Sequence, residues 1–175
     1  MRGLWILAAA LAFSVAARGD EKLPAFVVRA CTGEFDGTEI NPAEKAGAKP
    51  IVVVFVAADK FDRPIARYLR TLDEKLTAGL DGLKDVTATT VWLTDDAAKS
   101  KEYLPKAQLS LKLERTTWTV FEGEKAGPKG WNVDIASHVT AVIVRDGKEL
   151  KRFAYGSTNE TDVPELLAAL REVSK

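Results

Sequence analysis

Cysteine and histidine are nearly absent. The 175 residues hold one of each, Cys31 and His138. A lone cysteine excludes an intramolecular disulfide. A lone histidine with no cysteine or histidine cluster around it excludes the usual zinc ligand sets, so no metal and no cofactor is expected. An excess of one charge is also missing, because 25 Lys+Arg offset 25 Asp+Glu. That balance removes any electrostatic case for nucleic acid or an anionic membrane surface. No internal repeat and no low-complexity tract occurs. Ser137 and His138 lie close to Asp134, but no G-x-S-x-G elbow exists to present a hydrolase nucleophile. Gly123, Gly127 and Gly130 are not followed by a lysine and Ser/Thr opening a helix, so they form no phosphate cradle.

A long hydrophobic run occurs once, at the N-terminus. Arg2 precedes Leu4 to Ala17, an apolar core too short to span a bilayer comfortably. Ala16, Ala17 and Gly19 offer small-residue cleavage points. The pattern predicts a signal peptide over residues 1–19 and a secreted or periplasmic mature domain over 20–175, with no stable membrane insertion after cleavage. Loss of Arg2 and Arg18 would leave 23 basic against 25 acidic residues, a net charge of −2. The oxidising compartment so implied is not used for stapling.

The stretch that organises the rest is Lys49 to Leu72. Ile51 to Val56 is an unbroken β-branched and aromatic run, the signature of a strand buried on both faces. The polar residues 59–63 follow. Then Ile65, Tyr68, Leu69, Leu72 and Leu76 recur at helical spacing, with Asp62 as N-cap, Pro64 in the first turn and Gly79 as stop. Upstream, Ala25 to Cys31 reads as a strand and 32–49 as loop, with a helical turn after Pro42. Downstream, a turn at 81–85 leads to a strand over 86–93. Asp95 and Asp96 cap a helix to about Leu111, with Tyr103, Leu104, Ala107 and Leu111 inward and a kink or break at Pro105. A strand over 117–121 and a loop over 122–130 follow. Trp131, Val133 and Ile135 anchor an irregular segment. Strands over 139–144 and 150–155 flank an Asp146-Gly147 hairpin, and Asp162 caps a last helix striped by Val163, Leu166, Leu167, Leu170 and Val173. This order predicts an α/β three-layer sandwich, a central mixed sheet flanked by helices, ending in a β-hairpin plus helix.

Three segments resemble the thioredoxin-like superfamily, nearest its extracytoplasmic thiol-disulfide oxidoreductase and peroxiredoxin-related branch. They are KPIVVVFVAA at 49–58, VTAVIVRDGK at 139–148 and the strand and aromatic segment of 117–133 between them. With the terminal hairpin and helix, the match spans about 26–173. Aligned on the strand, the family's CxxC cysteines fall at Lys60 and Arg63, giving KFDR. The family's cis-proline falls near His138 or Val139. The resemblance therefore implies the fold but not the dithiol chemistry, which needs a thiol of depressed pKa at the helix N-terminus. The peptide bond before Val139 is expected to be trans.

The candidate binding residues are Lys60, Phe61, Asp62, Arg63, His138 and Val139, a groove for an extended peptide or another exported protein. Lys60 and Arg63 with free helix N–H groups would suit a carboxylate, whereas the plainer alternative is a solvated turn capped by Asp62. His138 is either a base beside that loop or a strand-entry residue tied to backbone. Cys31 is either a reactive thiol, aided by Arg29 on the same strand face, or an inert strand cysteine. Trp118 and Trp131 are expected in the core or at its rim, where an exposed pair could stack a peptide or sugar. The leading expectation is an exported thioredoxin-like domain without a dithiol site, serving as a binding or accessory module. The alternative is a single-cysteine thiol oxidoreductase or peroxidase that uses Cys31.

Overall fold

The computed structural model describes residues 13–15, 21–79, 83 and 85–174. Most of the predicted signal peptide, its cleavage points and most of the 81–85 turn lie outside them. Eight strands form one sheet: β1 (Phe13–Val15), β2 (Val28–Ala30), β3 (Glu39–Ile40), β4 (Ile51–Ala57), β5 (Thr87–Leu93), β6 (Thr116–Phe121), β7 (Val139–Arg145) and β8 (Lys148–Tyr155). The helices are α1 (Pro42–Lys45), α2 (Arg63–Ala78), α3 (Ala97–Leu111) and α4 (Val163–Val173). The strand order is β1-β8-β7-β4-β5-β6-β2-β3. Strands β4, β5 and β6 run parallel, and the other neighbours pair antiparallel. This is the three-layer arrangement, a mixed sheet flanked by helices, that the element order predicts.

Strand β4 sits between β7 and β5 and is buried along almost its whole length. Its side chains alternate. Val52, Val54 and Val56 join the core under α2, α3 and α4, with Tyr68, Leu69, Leu104 and Leu166. Ile51, Val53 and Phe55 join a second core with Phe26, Ala43 and Trp131. A strand between two cores has no polar face, which is why its sequence does not alternate. The second core is aromatic: Trp131 meets Phe26 at 4.8 Å and Phe55 at 5.5 Å between ring centroids, both edge-on. Its indole Nε1 donates to the Pro24 carbonyl at 2.9 Å, so the ring is buried without an orphaned donor.

The predicted boundaries hold closely for α2. Asp62 Oδ1 accepts from the Ile65 amide at 2.9 Å, and Gly79 closes the helix at φ 62°. The Asp146-Gly147 hairpin has φ of 52° and 73°, the paired positive values of a two-residue turn that follows sheet twist. Other expectations change. The strand expected over 25–31 shortens to Val28–Ala30, and of residues 25–27 ahead of it only Phe26 is buried, in the second core. Strand β3 arises within the predicted 32–49 loop. Helix α3 runs unbroken through Pro105, because Leu104 and Ala107 pin the flanking turns to the sheet. Tyr103 is exposed rather than inward, at the border of the stripe that Ser100, Leu104 and Ala107 bury. Ile135 is 62% exposed and anchors nothing. The last helix begins at a 3-10 turn capped by Asn159, and Asp162 reaches back to accept from the Asn159 amide at 3.0 Å. Among the described residues no helix is long and apolar enough to cross a membrane.

Candidate functional site at the carboxyl end of strand β4

Strand β4 ends at Ala57, a 3-10 turn takes up Ala58–Lys60, and Asp62 starts α2. Across from this turn runs the segment that enters β7. His138 donates its amide to the Tyr155 carbonyl at 2.8 Å, and Val139 opens β7 opposite Val56. The fold therefore brings the 59–63 loop and residues 138–139 to one end of the sheet. The peptide bond before Val139 is trans, since no cis bond occurs among the described residues.

Lys60 does not stand free. Its Nζ donates to the carbonyls of Ile135, Ala136 and Ser137 at 2.5, 2.9 and 3.3 Å. An ammonium has three donors, so this one is fully engaged. It ties the β4–α2 turn to the opposite wall. Phe61 turns inward and meets Trp92 and Trp118 edge-on at 5.0 and 6.0 Å. Arg63 is exposed on the first turn of α2. The six sequence candidates thus divide. Lys60 and the half-buried His138 line the cavity at this end of the sheet, Asp62 caps α2, Phe61 and the buried Val139 belong to the core under the long helices, and Arg63 alone of the six faces outward without lining it.

Between these walls lies a cavity of about 200 Å³, floored by Phe55, Leu93 and Thr140 and flanked by Lys60, Val133 and His138. Its far wall is held by Asp134. That carboxylate accepts from the Ser137 hydroxyl at 2.6 Å and the Ala136 amide at 2.9 Å. The Ser137 hydrogen bond, foremost, holds the Asp134 carboxyl below its ordinary range, while partial burial works against it. Ser137 spends its proton on Asp134, not on His138, so no triad forms. Lys125, on the 122–130 loop, spans Asp95 at 2.8 Å and Asp59 at 3.3 Å over the cavity's rim. Of the two predicted caps, only Asp96 caps α3, accepting from the Lys99 amide at 3.0 Å. Among the described residues no cluster of three or more metal-ligating side chains forms.

Cys31 is remote from this site. Three strand spacings separate β2 from β4, about 14 Å. The thiol is buried and directs its Sγ to the Arg29 carbonyl at 3.6 Å. Burial, then the Asp36 carboxylate, pushes its pKa up, and Lys101 offsets this only in part. Arg29 gives no help. Its guanidinium turns to the Glu39 carboxylate and the Gly37 carbonyl. Trp118 and Trp131 are both fully buried, which excludes them as an exposed stacking pair.

Several supports of the site carry no local sequence signal. Arg152 and Glu149, both buried, form a two-pronged pair at 3.0 and 2.6 Å, and Arg152 also donates to the Asn132 carbonyl at 3.1 Å. Asn132 has φ 45°, so this bond holds a strained residue next to Trp131. Such a pair compensates its own desolvation only while both partners and the extra hydrogen bond are kept.

No protein-family model and no curated protein matches the sequence. Solved structures do match in shape. A thioredoxin-like protein from Porphyromonas gingivalis superposes with a TM-score of 0.63 at 20% identity, covering 87% of this chain and 91% of that one. A secreted thiol-disulfide isomerase from Corynebacterium glutamicum gives 0.60 at 12%, covering 91% and 92%. The peroxidoxin BcpB of Mycobacterium tuberculosis gives 0.60 at 14%, covering 91% and 99%. At these identities the likeness establishes architecture. The chain has the thioredoxin-like fold, with one cysteine and no CxxC motif.

Proposed function

We propose that this is an exported, non-catalytic thioredoxin-like module that binds an extended peptide segment of another exported protein in the groove at the end of β4. Residues 1–19 are its signal peptide in this reading, and 20–175 the working domain, so cleavage removes the edge strand β1 from β8 and leaves β2 to β8 as the sheet. The observation that carries the proposal is Lys60. At the position where the fold's enzymes need a thiol, an ammonium with all three donors engaged offers no nucleophile. The same contacts hold the groove's walls in place, and a pre-formed groove loses less free energy on binding. The secreted isomerase among the structural neighbours supports export by analogy.

The alternative gives Cys31 single-cysteine chemistry. A buried thiol of raised pKa is a poor attacking group, and Lys101 offsets that rise only in part. Disulfide-reductase and peroxidase assays on the wild-type chain and on Cys31→Ser decide between them. The expected result is no turnover in either, with the thiol reacting slowly with an aromatic disulfide in the native state and fully in denaturant. Turnover that vanishes in Cys31→Ser would overturn the non-catalytic reading.

A further inference from the structure

The cavity beside Phe55 is one half of a longer groove. Asp59 and Lys125 line it and also line a second hollow of about 390 Å³, beside Trp92, Tyr103 and Asp96. Lys125 divides the two. It reaches in from the 122–130 loop, and its ammonium lies between carboxylates from two other elements, Asp59 after β4 and Asp95 before α3. The Asp59 and Asp95 side chains are 60% and 74% exposed, so the bridges compete with water and are individually weak. Tyr103, exposed and 6.0 Å from the buried Trp92 between ring centroids, adds aromatic surface to this second hollow. With Lys125 withdrawn, the rim would present Asp59, Asp95 and Asp96, the last also capping α3, opposed by Lys99 and by Lys60, whose ammonium is held by the 135–137 carbonyls.

We infer that Lys125 is a displaceable latch: the bound segment carries a basic residue that replaces it between Asp59 and Asp95, next to an apolar residue that enters the Phe55 cavity. This rests on the peptide-binding reading above and adds the chemistry of the partner. The bound lysine is already exemplified inside the molecule, because Lys125 itself shows that an ammonium fits between the two carboxylates. Its removal leaves the acidic rim without that cation, so a basic segment gains both the site and the field.

The test is an amide-shift titration of the full chain with two blocked hexapeptides, acetyl-Ala-Ala-Leu-Lys-Ala-Ala-amide and the same peptide with glutamate for lysine. The lysine peptide should shift amides around 57–60, 93–96 and 125–126. It should bind about tenfold more tightly than the glutamate peptide, the scale of a lost charge pair plus an added repulsion. Lys125→Ala should tighten the lysine peptide about three- to fivefold. Asp59→Asn with Asp95→Asn should erase the preference between peptides. Equal affinity for the two peptides, or weaker binding by Lys125→Ala, overturns the latch and leaves the peptide groove standing. No shift with either peptide, in either wild type or Lys125→Ala, overturns both.

Discussion

Lys60 is held by partners 75 to 77 residues away, and its removal tests how much the groove depends on one side chain. In Lys60→Ala three carbonyls lose their donor, but they lie at a half-open surface where water replaces it. The expected cost is therefore small for three charge-assisted bonds, about 1–2 kcal/mol by urea denaturation. Amide exchange at 136–138 should rise more than elsewhere. Unchanged exchange there would show that the tie does not hold the wall. Asp134 sets a second test, in pH. Its folded pKa is depressed, so it contributes stability above its unfolded value, and that is lost as pH falls through the folded value. Asp134→Asn should lower stability by a pH-independent amount between pH 6 and 8 and flatten the profile below about pH 4, where the wild type loses the same contribution.

At the scale of elements, α3 carries a proline in its interior. Pro105 has no amide to offer the Lys101 carbonyl, and its ring crowds the preceding turn. Pro105→Ala should raise stability by about 1–2 kcal/mol, read as a higher melting temperature, after allowance for the freer unfolded chain. A loss instead would mean that the helix is shaped around its proline. The same helix shows where sequence reading works and where it stops. Leu104 and Ala107 declare a buried stripe through their spacing alone, as do Ile65 to Leu76 in α2, whereas Ser100 is buried on the same stripe without an apolar side chain to signal it. Tyr103 borders that stripe, and periodicity cannot say on which side of a border a large ring falls. Elements, caps and hairpin turns are local, so composition and spacing reveal them. The ties that build the site are not local. Lys60 to Ile135, Arg152 to Asn132 and Lys125 to Asp95 pair residues whose chemistry is common and whose separation follows no period. Cys31 was legible as a residue but not as a buried one, because the covering surface comes from other strands.

Across the whole molecule, the two faces of the sheet are covered differently. Three long helices cover one face, and α1 with irregular chain around Trp131 covers the other. That second layer depends on aromatic packing rather than on backbone regularity. Trp131→Ala should therefore cost about 3–5 kcal/mol. It should also loosen both the 21–27 lead-in and the 122–138 segment, because the ring touches Phe26, Phe55 and the Pro24 carbonyl at once. Denaturation monitored together with amide exchange in those two stretches checks it. A cost below 1 kcal/mol would show that the layer closes without it.

The place held by Lys60 has a further consequence for any attempt to give this fold its missing chemistry. Lys60→Cys with Arg63→Cys would put thiols at the start of α2, yet the first change also takes away the ammonium donor that the 135–137 carbonyls share. Nucleophile and tether compete for a single position. A redox enzyme made here would have to rebuild its substrate wall by other means, so restoring two cysteines would not by itself restore an oxidoreductase.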